Sequence, residues 1–323
     1  MNDLRPIVQP DLESVLDAAR RIAGSVVRTP LIEVRHGEHS FWLKCESQQT
    51  GGSFKLRGAT NRLLQLSPEE RERGVVAFSS GNHAQGVAIA ARRLGIAATI
   101  VMPSDAPSLK VEGTRSQGAA IRLYDRKTES REAIAAEIAA ATGAIVVPSF
   151  DDPHIVAGQG SVGVEIVEQL GRTPQRIVVP CGGGGLAAGI AVACPDAQIV
   201  IVEPSGWDDM GASLEGGAIV PVRPDAPPTL CDALQTPIVS PITFGILRAL
   251  GARATSVSER EVEDAIRWAW SELDQRAEPG GAVALASVLA GKVPLSAGTV
   301  VILSGGNIDP ALHARIVADQ ATR

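Results

Sequence analysis

The stretch RIVVPCGGGGLAAGIAVA, residues Arg176–Ala193, decides the fold, because an apolar run ends in four glycines that lead into an Ala-rich segment. This order predicts a buried strand, a tight loop and a helix, the repeating unit of a parallel sheet covered by helices. The loop of Gly182, Gly183, Gly184 and Gly185 leaves backbone N–H groups unhindered at the positive end of a helix. It therefore predicts a phosphate-binding site.

The tetraglycine loop does not by itself say which phosphate it binds. Gly182, Gly184 and Ala187 match the GxGxxA pattern of dinucleotide-binding folds, and Glu203 follows at about the spacing expected of the ribose-binding acid. A GxGxxA match alone is weak evidence. A nicotinamide dinucleotide and another phosphorylated cofactor both stay open at this point.

Short apolar runs alternate with segments of helical length along the rest of the chain, and this alternation predicts an α/β protein. The predicted strands are Val75–Ser79, Ala98–Met102, Ala120–Leu123, Ile145–Val147, Ile177–Val179, Ile199–Val202 and Val300–Leu303. The predicted helices are Ala84–Leu94, Ser130–Thr142 with Thr128 as its cap, Leu186–Ala193, Glu261–Gln275 and Pro310–Gln320. Most strands run into Gly, Ser or Pro, so binding loops are expected at the strand ends.

Composition excludes several classes of protein. The 323 residues are 45% hydrophobic and 20% charged, which excludes disordered and fibrous chains. A net charge of -6 offers no basic surface for nucleic acid, so a small molecule is the expected partner. Proline and glycine interrupt the longest uncharged run, Ile177–Cys194, so no membrane span is expected. Four widely spaced cysteines and a charged N-terminus indicate a reducing cytoplasm.

The loop FSSGNHAQG concentrates polar groups between a predicted strand and a predicted helix. Ser79, Ser80, Gly81, Asn82 and His83 bring hydroxyl, amide, imidazole and backbone donors together, a set that suits a carboxylate. Ordinary helix capping explains one Ser or Asn, but not the whole cluster.

Two further segments are ambiguous when taken alone. In SQQTGGSFKLRGATNRL, Lys55 follows a Gly-Gly turn and Phe54. A lone lysine is usually a surface charge, although a desolvated amine can form a Schiff base with a carbonyl compound. In VILSGGNID, Ser304 ends a buried strand and can contact a ring nitrogen or cap a turn.

Together the segments GGSFKLRGA, SSGNHAQG, CGGGGLAAG and LSGGNID resemble the fold-type II pyridoxal-phosphate enzymes. They resemble in particular the group of threonine dehydratases, serine racemases and 3-hydroxyaspartate dehydratases, and the likeness covers nearly the whole chain. It implies a two-domain α/β fold like that of the tryptophan synthase β chain, with a large domain of residues 1–47 and 149–323 and a small mobile domain of residues 48–148. A dinucleotide-dependent oxidoreductase or a noncatalytic cofactor binder is the remote alternative, because it leaves Lys55 and Ser304 without a role.

The resemblance implies a role for each of these residues. Lys55 is expected to carry the pyridoxal phosphate as an imine and to remove the substrate's Cα proton. Cofactor contacts are expected from Phe54 on the ring, Asn82 at the 3-hydroxyl, Ser304 at the ring nitrogen, and the backbone of Gly182, Gly183, Gly184, Gly185 and Leu186 at the phosphate. Substrate contacts are expected from Ser79, Ser80, Gly81, Asn82 and His83 to the carboxylate.

The implied reaction is elimination of water from a β-hydroxy-α-amino acid, giving a 2-oxo acid and ammonia. A hydroxyl at the ring nitrogen, unlike a carboxylate, does not hold a proton there, so the carbanion is short-lived and prompt loss of a β-leaving group is favoured. Ser80 also matches the residue that delivers a proton from the face opposite the lysine in racemases of this group. A serine or aspartate-type racemase is therefore the alternative.

The resemblance extends to a metal site, to substrate choice and to assembly. Glu203, Asp209 and the Trp207 carbonyl match a divalent-cation site, where oxygen ligands indicate Mg²⁺ or Ca²⁺, although two acids in a surface loop explain the pattern almost as well. Arg131 matches an arginine able to contact a second substrate carboxylate, and a solvent-facing arginine is an equal alternative. Threonine, serine and 3-hydroxyaspartate are therefore equal candidates for the substrate. A homodimer is also implied.

Two further segments bear on the expected pocket. Cys231–Ala233 departs from the group's usual Ala-Asp-Gly, because Ala233 adds a methyl group beside the pocket. Glu278 lies in a segment expected to flank the cofactor, with no definite role.

Overall fold

A computed structural model describes residues 8–79, 81–106 and 108–319. The helices of this part of the chain are α1 (Leu12–Ile22), α2 (Lys55–Leu64), α3 (Pro68–Arg73), α4 (Asn82–Leu94), α5 (Ser108–Ser116), α6 (Arg131–Thr142), α7 (Pro153–Leu170), α8 (Gly185–Ala193), α9 (Asp209–Gly216), α10 (Pro241–Ala249), α11 (Glu259–Leu273), α12 (Pro279–Leu289) and α13 (Pro310–Ala318). The strands are β1 (Leu31–His36), β2 (His39–Cys45), β3 (Val75–Phe78), β4 (Ala98–Pro103), β5 (Ala120–Tyr124), β6 (Ile145–Val146), β7 (Arg176–Pro180), β8 (Gln198–Pro204), β9 (Arg253–Val257) and β10 (Thr299–Leu303).

The larger sheet has six strands in the order β1-β2-β10-β7-β8-β9. Its central strands are almost wholly apolar because helices cover both faces. In β7, Ile177 and Val179 pack with α1, α7, α8 and α10 on one face, whereas Val178 packs with α11 and α12 on the other. The period of two along the strand thus divides the sheet's core into two layers.

The smaller sheet has four parallel strands in the order β5-β4-β3-β6. On β3, Val75 and Ala77 face a core shared with α2 and α4, while Val76 faces α6. The prediction of an α/β fold with parallel sheets covered by helices is confirmed.

Helix α7 contacts both helices that begin at the predicted binding loops, α2 and α8. Glycines allow the close approach: a Cβ on Gly158 would lie 2.7 Å from the Gly58 Cα, and one on Gly189 would lie 2.4 Å from the Val156 carbonyl oxygen. Any larger residue would push α2 or α8 away from α7. The fold therefore fixes α2 and α8 against one shared helix.

Some predicted details were wrong. The cap of α6 is Ser130, whose Oγ accepts the Ala133 N–H at 3.2 Å, and not Thr128. Helix α11 begins at Glu259 rather than Glu261, because Ser258 and Glu261 form a reciprocal capping box. Helix α13 ends at Ala318, and the predicted end at Gln320 lies outside the described residues.

The larger sheet also contains elements that were not predicted. Strands β1 and β2 form an antiparallel hairpin whose two-residue turn, Gly37 and Glu38, lies between His36 and His39. The two histidines therefore end paired strands, and the ring of His36 packs edge-on against Trp268 at 5.7 Å. No helix within the described residues is long and apolar enough to cross a membrane.

Candidate active site

A cavity of about 730 Å³ receives residues from both sheets. Every predicted cofactor- and substrate-binding residue that the structure describes lines this cavity: Phe54, Lys55, Ser79, Gly81, Asn82, His83, Arg131, Gly182, Gly183, Gly184, Gly185, Leu186 and Ser304. Ser80 lies outside the described residues. The four loops that the sequence singled out thus meet in one place.

Lys55 is the first residue of α2, and it lines the cavity. Its Nζ donates a hydrogen bond to the Ser149 carbonyl oxygen at 3.2 Å and lies 5.1 Å from the centre of the Phe54 ring. Burial lowers the pKa of Lys55 to about 8, although the negative charge of Glu278 acts to raise it. A neutral, nucleophilic amine is therefore accessible close to neutral pH.

The tetraglycine loop forms a cradle that side chains would fill. A Cβ on Gly183 would lie 2.3 Å from the Phe150 ring, and Gly184 has a φ of +85°, in the left-handed region. No side chain caps α8, so the N–H groups of its first turn keep their hydrogens free for a ligand. Thr243 Oγ1 donates to the Gly183 carbonyl oxygen at 2.8 Å and fixes the loop. These features fit a phosphate group.

The lysine loop and the C-terminal loop are paired through their backbones. The Phe54 N–H donates to the Ser304 carbonyl oxygen at 3.2 Å, and the Gly306 N–H donates to the Gly52 carbonyl oxygen at 2.9 Å. Ser304 itself is buried and lines the cavity. This pairing holds Phe54, Lys55 and Ser304 in a fixed relation.

Asn82 and Glu278 form a buried pair at the cavity wall. Asn82 Nδ2 donates to Glu278 Oε1, and Asn82 Oδ1 accepts from Asn307 Nδ2 at 2.7 Å. Burial raises the pKa of Glu278 to about 7, and the charge of Asp232 adds to this effect. Sequence reasoning gave Glu278 no definite role, because an acid before Pro279 at a helix start reads as an ordinary cap.

His83 is held neutral. Its Nε2 lies 2.9 Å from the Val147 carbonyl oxygen, which can only accept, so Nε2 carries the hydrogen. Burial lowers the pKa of His83 to about 3, and Nδ1 has no partner among the described residues. The imidazole therefore has no N–H left to donate to a substrate carboxylate. Of the loop residues predicted to bind the carboxylate, His83 is thus not a donor in this protonation state.

Arg131 begins α6 at the cavity wall. Its Nε donates to Glu132 at 2.8 Å, and its guanidinium lies 5.5 Å from the centre of the Phe78 ring. Its two terminal nitrogens make no hydrogen bond to the part of the chain that the structure describes. Two other cations line the same cavity, Lys110 and Arg126. Lys110 is paired with Asp232, and Arg126 is paired with Asp105.

The predicted metal ligands lie outside the cavity wall. Both Glu203 oxygens accept backbone N–H groups at the start of α9, from Met210 at 3.0 Å and from Gly211 at 2.9 Å. Asp209 Oδ2 is buried without a hydrogen-bond partner in the described residues. Trp207 lies between them in sequence, its Nε1 donating to the Pro227 carbonyl oxygen at 2.7 Å. No group of three or more His, Cys, Asp or Glu side chains suited to a metal occurs in residues 8–79, 81–106 and 108–319.

Comparison with known proteins establishes the class. The family model described as pyridoxal-phosphate dependent enzyme matches residues 22–305, and the chain belongs to this family. It is 38% identical over 321 residues to the L-threo-3-hydroxyaspartate ammonia-lyase of Saccharomyces cerevisiae, covering 97% of this chain and 98% of the relative.

Two further relatives represent the other activities of the group. The chain is 41% identical over 317 residues to the L-threonine ammonia-lyase of Thermotoga maritima, covering 95% of this chain and 78% of the relative. The structure of maize serine racemase matches with a TM-score of 0.90 at 34% identity, over 95% of this chain and 97% of that one. The predicted resemblance to the fold-type II group is confirmed.

Proposed function

We propose that this chain is a pyridoxal-phosphate-dependent ammonia-lyase that eliminates water from a β-hydroxy-α-amino acid to give a 2-oxo acid and ammonia. One observation carries the proposal: a buried lysine amine and an uncapped tetraglycine helix start face the same cavity. Relatives that match nearly the whole chain carry ammonia-lyase names for hydroxyaspartate and threonine. The substrates proposed are therefore 3-hydroxyaspartate, threonine and serine.

The residues present fit the cofactor. The backbone of Gly182–Gly185 and Leu186 would hold the phosphate, Phe54 would pack on the ring, and Asn82 and Ser304 would face its hydroxyl and its nitrogen. When bound, pyridoxal phosphate supplies an electrophilic carbon for amines and a ring that draws electrons from the substrate's Cα–H bond. Ser304 offers a hydroxyl rather than a carboxylate to that ring, which favours elimination over slower chemistry.

Lys55 moves the protons of the reaction. As a neutral amine, Nζ removes the Cα proton of the substrate and becomes an ammonium group. It then donates that proton to the β-hydroxyl as the C–O bond breaks, so that water leaves and the amine is regenerated. The enamine that is released reacts with water to give the 2-oxo acid and ammonia. The lowered pKa of Lys55 suits both directions of transfer near neutral pH.

The start of α4 orients the substrate carboxylate. Ser79, Gly81 and Asn82 lie at the cavity wall, where the Gly81 N–H donates to Ser79 Oγ at 3.2 Å. Among the described residues no side chain caps α4, so the N–H groups of its first turn, which begins at Asn82, can donate to a carboxylate. Neutral His83 adds no positive charge there. We propose Ser80 as a further contact and as the proton donor of a racemase side activity, which the structural similarity to maize serine racemase supports.

The proposal extends to the whole molecule. We propose that residues 48–148 form a mobile small domain and residues 1–47 and 149–323 a large one, since the four-stranded and six-stranded sheets fall on either side of these boundaries. Small-angle scattering with and without a substrate-like inhibitor tests closure, and identical profiles refute it. We further propose a homodimer, which light scattering tests, and a cytoplasmic location, which four buried free cysteines support.

We also propose that Mg²⁺ or Ca²⁺ binds Glu203, Asp209 and the Trp207 carbonyl oxygen. The partnerless buried Asp209 Oδ2 supports the site, and the Glu203 oxygens keep lone pairs beside their backbone bonds. Isothermal titration calorimetry with Mg²⁺ and with Ca²⁺, on protein from which a chelator has removed bound metal, tests this site. If Asp209→Asn binds the ion as tightly as the native chain does, the proposed site is refuted.

The deciding experiment supplies each candidate substrate to the loaded enzyme. Keto acid plus ammonia from threonine, serine or 3-hydroxyaspartate identifies the lyase, whereas enantiomer formation without keto acid identifies a racemase. Borohydride reduction of the coloured enzyme followed by peptide mass analysis should place the cofactor on Lys55. Lys55→Ala is the matched control, and keto acid formation that survives in this variant refutes the mechanism.

A further inference from the structure

Glu278 is a buried acid that the mechanism above does not use. It is the N-cap residue of α12, yet its carboxyl makes no hydrogen bond to that helix. Three other acidic caps accept N–H groups of their own helices, namely Asp11, Asp152 and Asp309, whereas Asp208 of α9 does not. The Glu278 carboxyl instead lines the cavity and accepts from Asn82. An acid directed away from its helix and into a ligand cavity indicates a role in the site.

The surroundings fix this carboxyl in place. Asn307 Nδ2 bonds both Asn82 Oδ1 and the Gly51 carbonyl oxygen at 2.7 Å, so the amide that holds Glu278 is itself held. A Cβ on Gly305 would lie 2.0 Å from Glu278 Oε1, so the loop backbone lies directly against the acid. The carboxyl therefore has little freedom to turn towards solvent.

Three charged groups whose charges act on Glu278 line the same cavity, each from a different element. Asp232 lies in the short helix Asp232–Leu234, Lys110 lies on α5, and Lys55 lies on α2. Asp232 and Lys110 form an ion pair with each other. Lys55 forms no ion pair within 4.0 Å among the described residues, so it is the cation left to balance the charge of Glu278. The neighbouring His83 is neutral.

We propose that Glu278 is the counter-charge that sets the protonation of Lys55, and hence a positioning residue for proton transfer at that amine. This inference rests on the proposed function only in taking Lys55 as the amine that moves the proton. As a carboxylate, Glu278 stabilises the ammonium group formed when Nζ takes the Cα proton. The proton stays on Nζ until the departing hydroxyl takes it, so Glu278 neither gains nor loses a proton in the cycle.

The test measures the protonation of Lys55 in the cofactor-free full chain. Glu278→Gln removes the charge and keeps an oxygen for Asn82. Trinitrobenzenesulfonate modification of the Lys55 peptide, followed by mass spectrometry between pH 6 and pH 10, should give a midpoint near 8 in the native chain. In Glu278→Gln we expect the midpoint to fall by roughly 0.5 to 1 pH unit, while Glu278→Asp should stay near the native value.

Two further measurements separate this role from a structural one. Thermal unfolding shows whether each variant is folded, and Glu278→Ala replaces Glu278→Gln if the latter is not. In the loaded enzyme the acid limb of the kcat profile, which reports the substrate complex where Lys55 is a free amine, should move to lower pH in Glu278→Gln. A folded charge-free variant with an unchanged Lys55 midpoint overturns the proposal. If neither the native chain nor Glu278→Gln bound pyridoxal phosphate, the proposed function would be refuted. The titration of Lys55 in the cofactor-free chain would still decide the role of Glu278.

Discussion

Replacing Arg131 with Met should change substrate selectivity rather than general activity. The side chain is 31% exposed, its Nε is occupied by Glu132, and its terminal nitrogens are free among the described residues. Those two nitrogens can bind a second carboxylate, which 3-hydroxyaspartate has and threonine lacks. Methionine keeps an apolar stem against Phe78 and removes only the charge and its donors.

The expected size of the effect follows from this exposure. A charge-assisted contact is worth about 1.5 to 3 kcal/mol. Partial exposure and competition from Glu132 place Arg131 at the lower end, because solvent screens the interaction. About 1.4 kcal/mol corresponds to tenfold, so the ratio of kcat/KM for L-threo-3-hydroxyaspartate over L-threonine should fall about tenfold in Arg131→Met.

The assay measures keto acid release from both substrates at several concentrations. Arg126→Met is the matched control, because Arg126 lines the same cavity and is also paired through Nε, but its side chain is 48% exposed and is not packed on Phe78. The control should leave the ratio within about twofold of the native value. An equal loss on both substrates, or no loss on either, would refute the assignment of Arg131 as the selectivity residue.

Two other substitutions test the tetraglycine loop and the buried ion cluster around Arg57. Gly183→Ala places a methyl group 2.3 Å from the Phe150 ring, which would displace the loop. The Kd for pyridoxal phosphate, measured by equilibrium dialysis, should therefore rise more than about tenfold. An unchanged Kd would mean that the loop does not hold the phosphate. Arg57→Met leaves the buried carboxylate of Glu46 without its ion partner and leaves Glu165 paired with Lys44 alone, so urea unfolding should show a loss of about 3 kcal/mol. A loss below about 1 kcal/mol would contradict the role of this ion cluster in stability.

The sequence predicted best where one local rule decides the structure. Strands that run into Gly, Ser or Pro before a helix bring their loops to the same sheet edge, and Lys55, Asn82 and Ser304 do line one cavity. The tetraglycine loop was predictable for the same reason, since only a close ligand or packing partner explains four glycines between a buried strand and a helix.

The parts that escaped prediction depend on contacts between distant segments. Helix α7 contains Gly158, Gly160 and Gly163, which weaken the helical signal and make sense only once α2 and α8 are packed against it. The hairpin of β1 and β2 also escaped prediction; its two-residue turn contains Gly37, which has a φ of +59°. Glu278 was expected to flank the cofactor, but its role was less definite than that of Lys55, because its partner Asn82 lies 196 residues away.

The arrangement separates the cofactor from substrate recognition. Helix α7 holds the helix of Lys55 and the helix of the tetraglycine loop through contacts too close for a side chain. The movement proposed for residues 48–148 would therefore leave α2 in place beside the tetraglycine loop and displace the four-stranded sheet. The proposed substrate contacts Ser79 and Arg131 lie in the loop after β3 and at the start of α6, beside the four-stranded sheet. Substitutions there can alter which amino acid is accepted while Lys55 and the cradle keep their geometry. This separation explains how relatives of the same fold bear the names of ammonia-lyases for different amino acids and of a serine racemase.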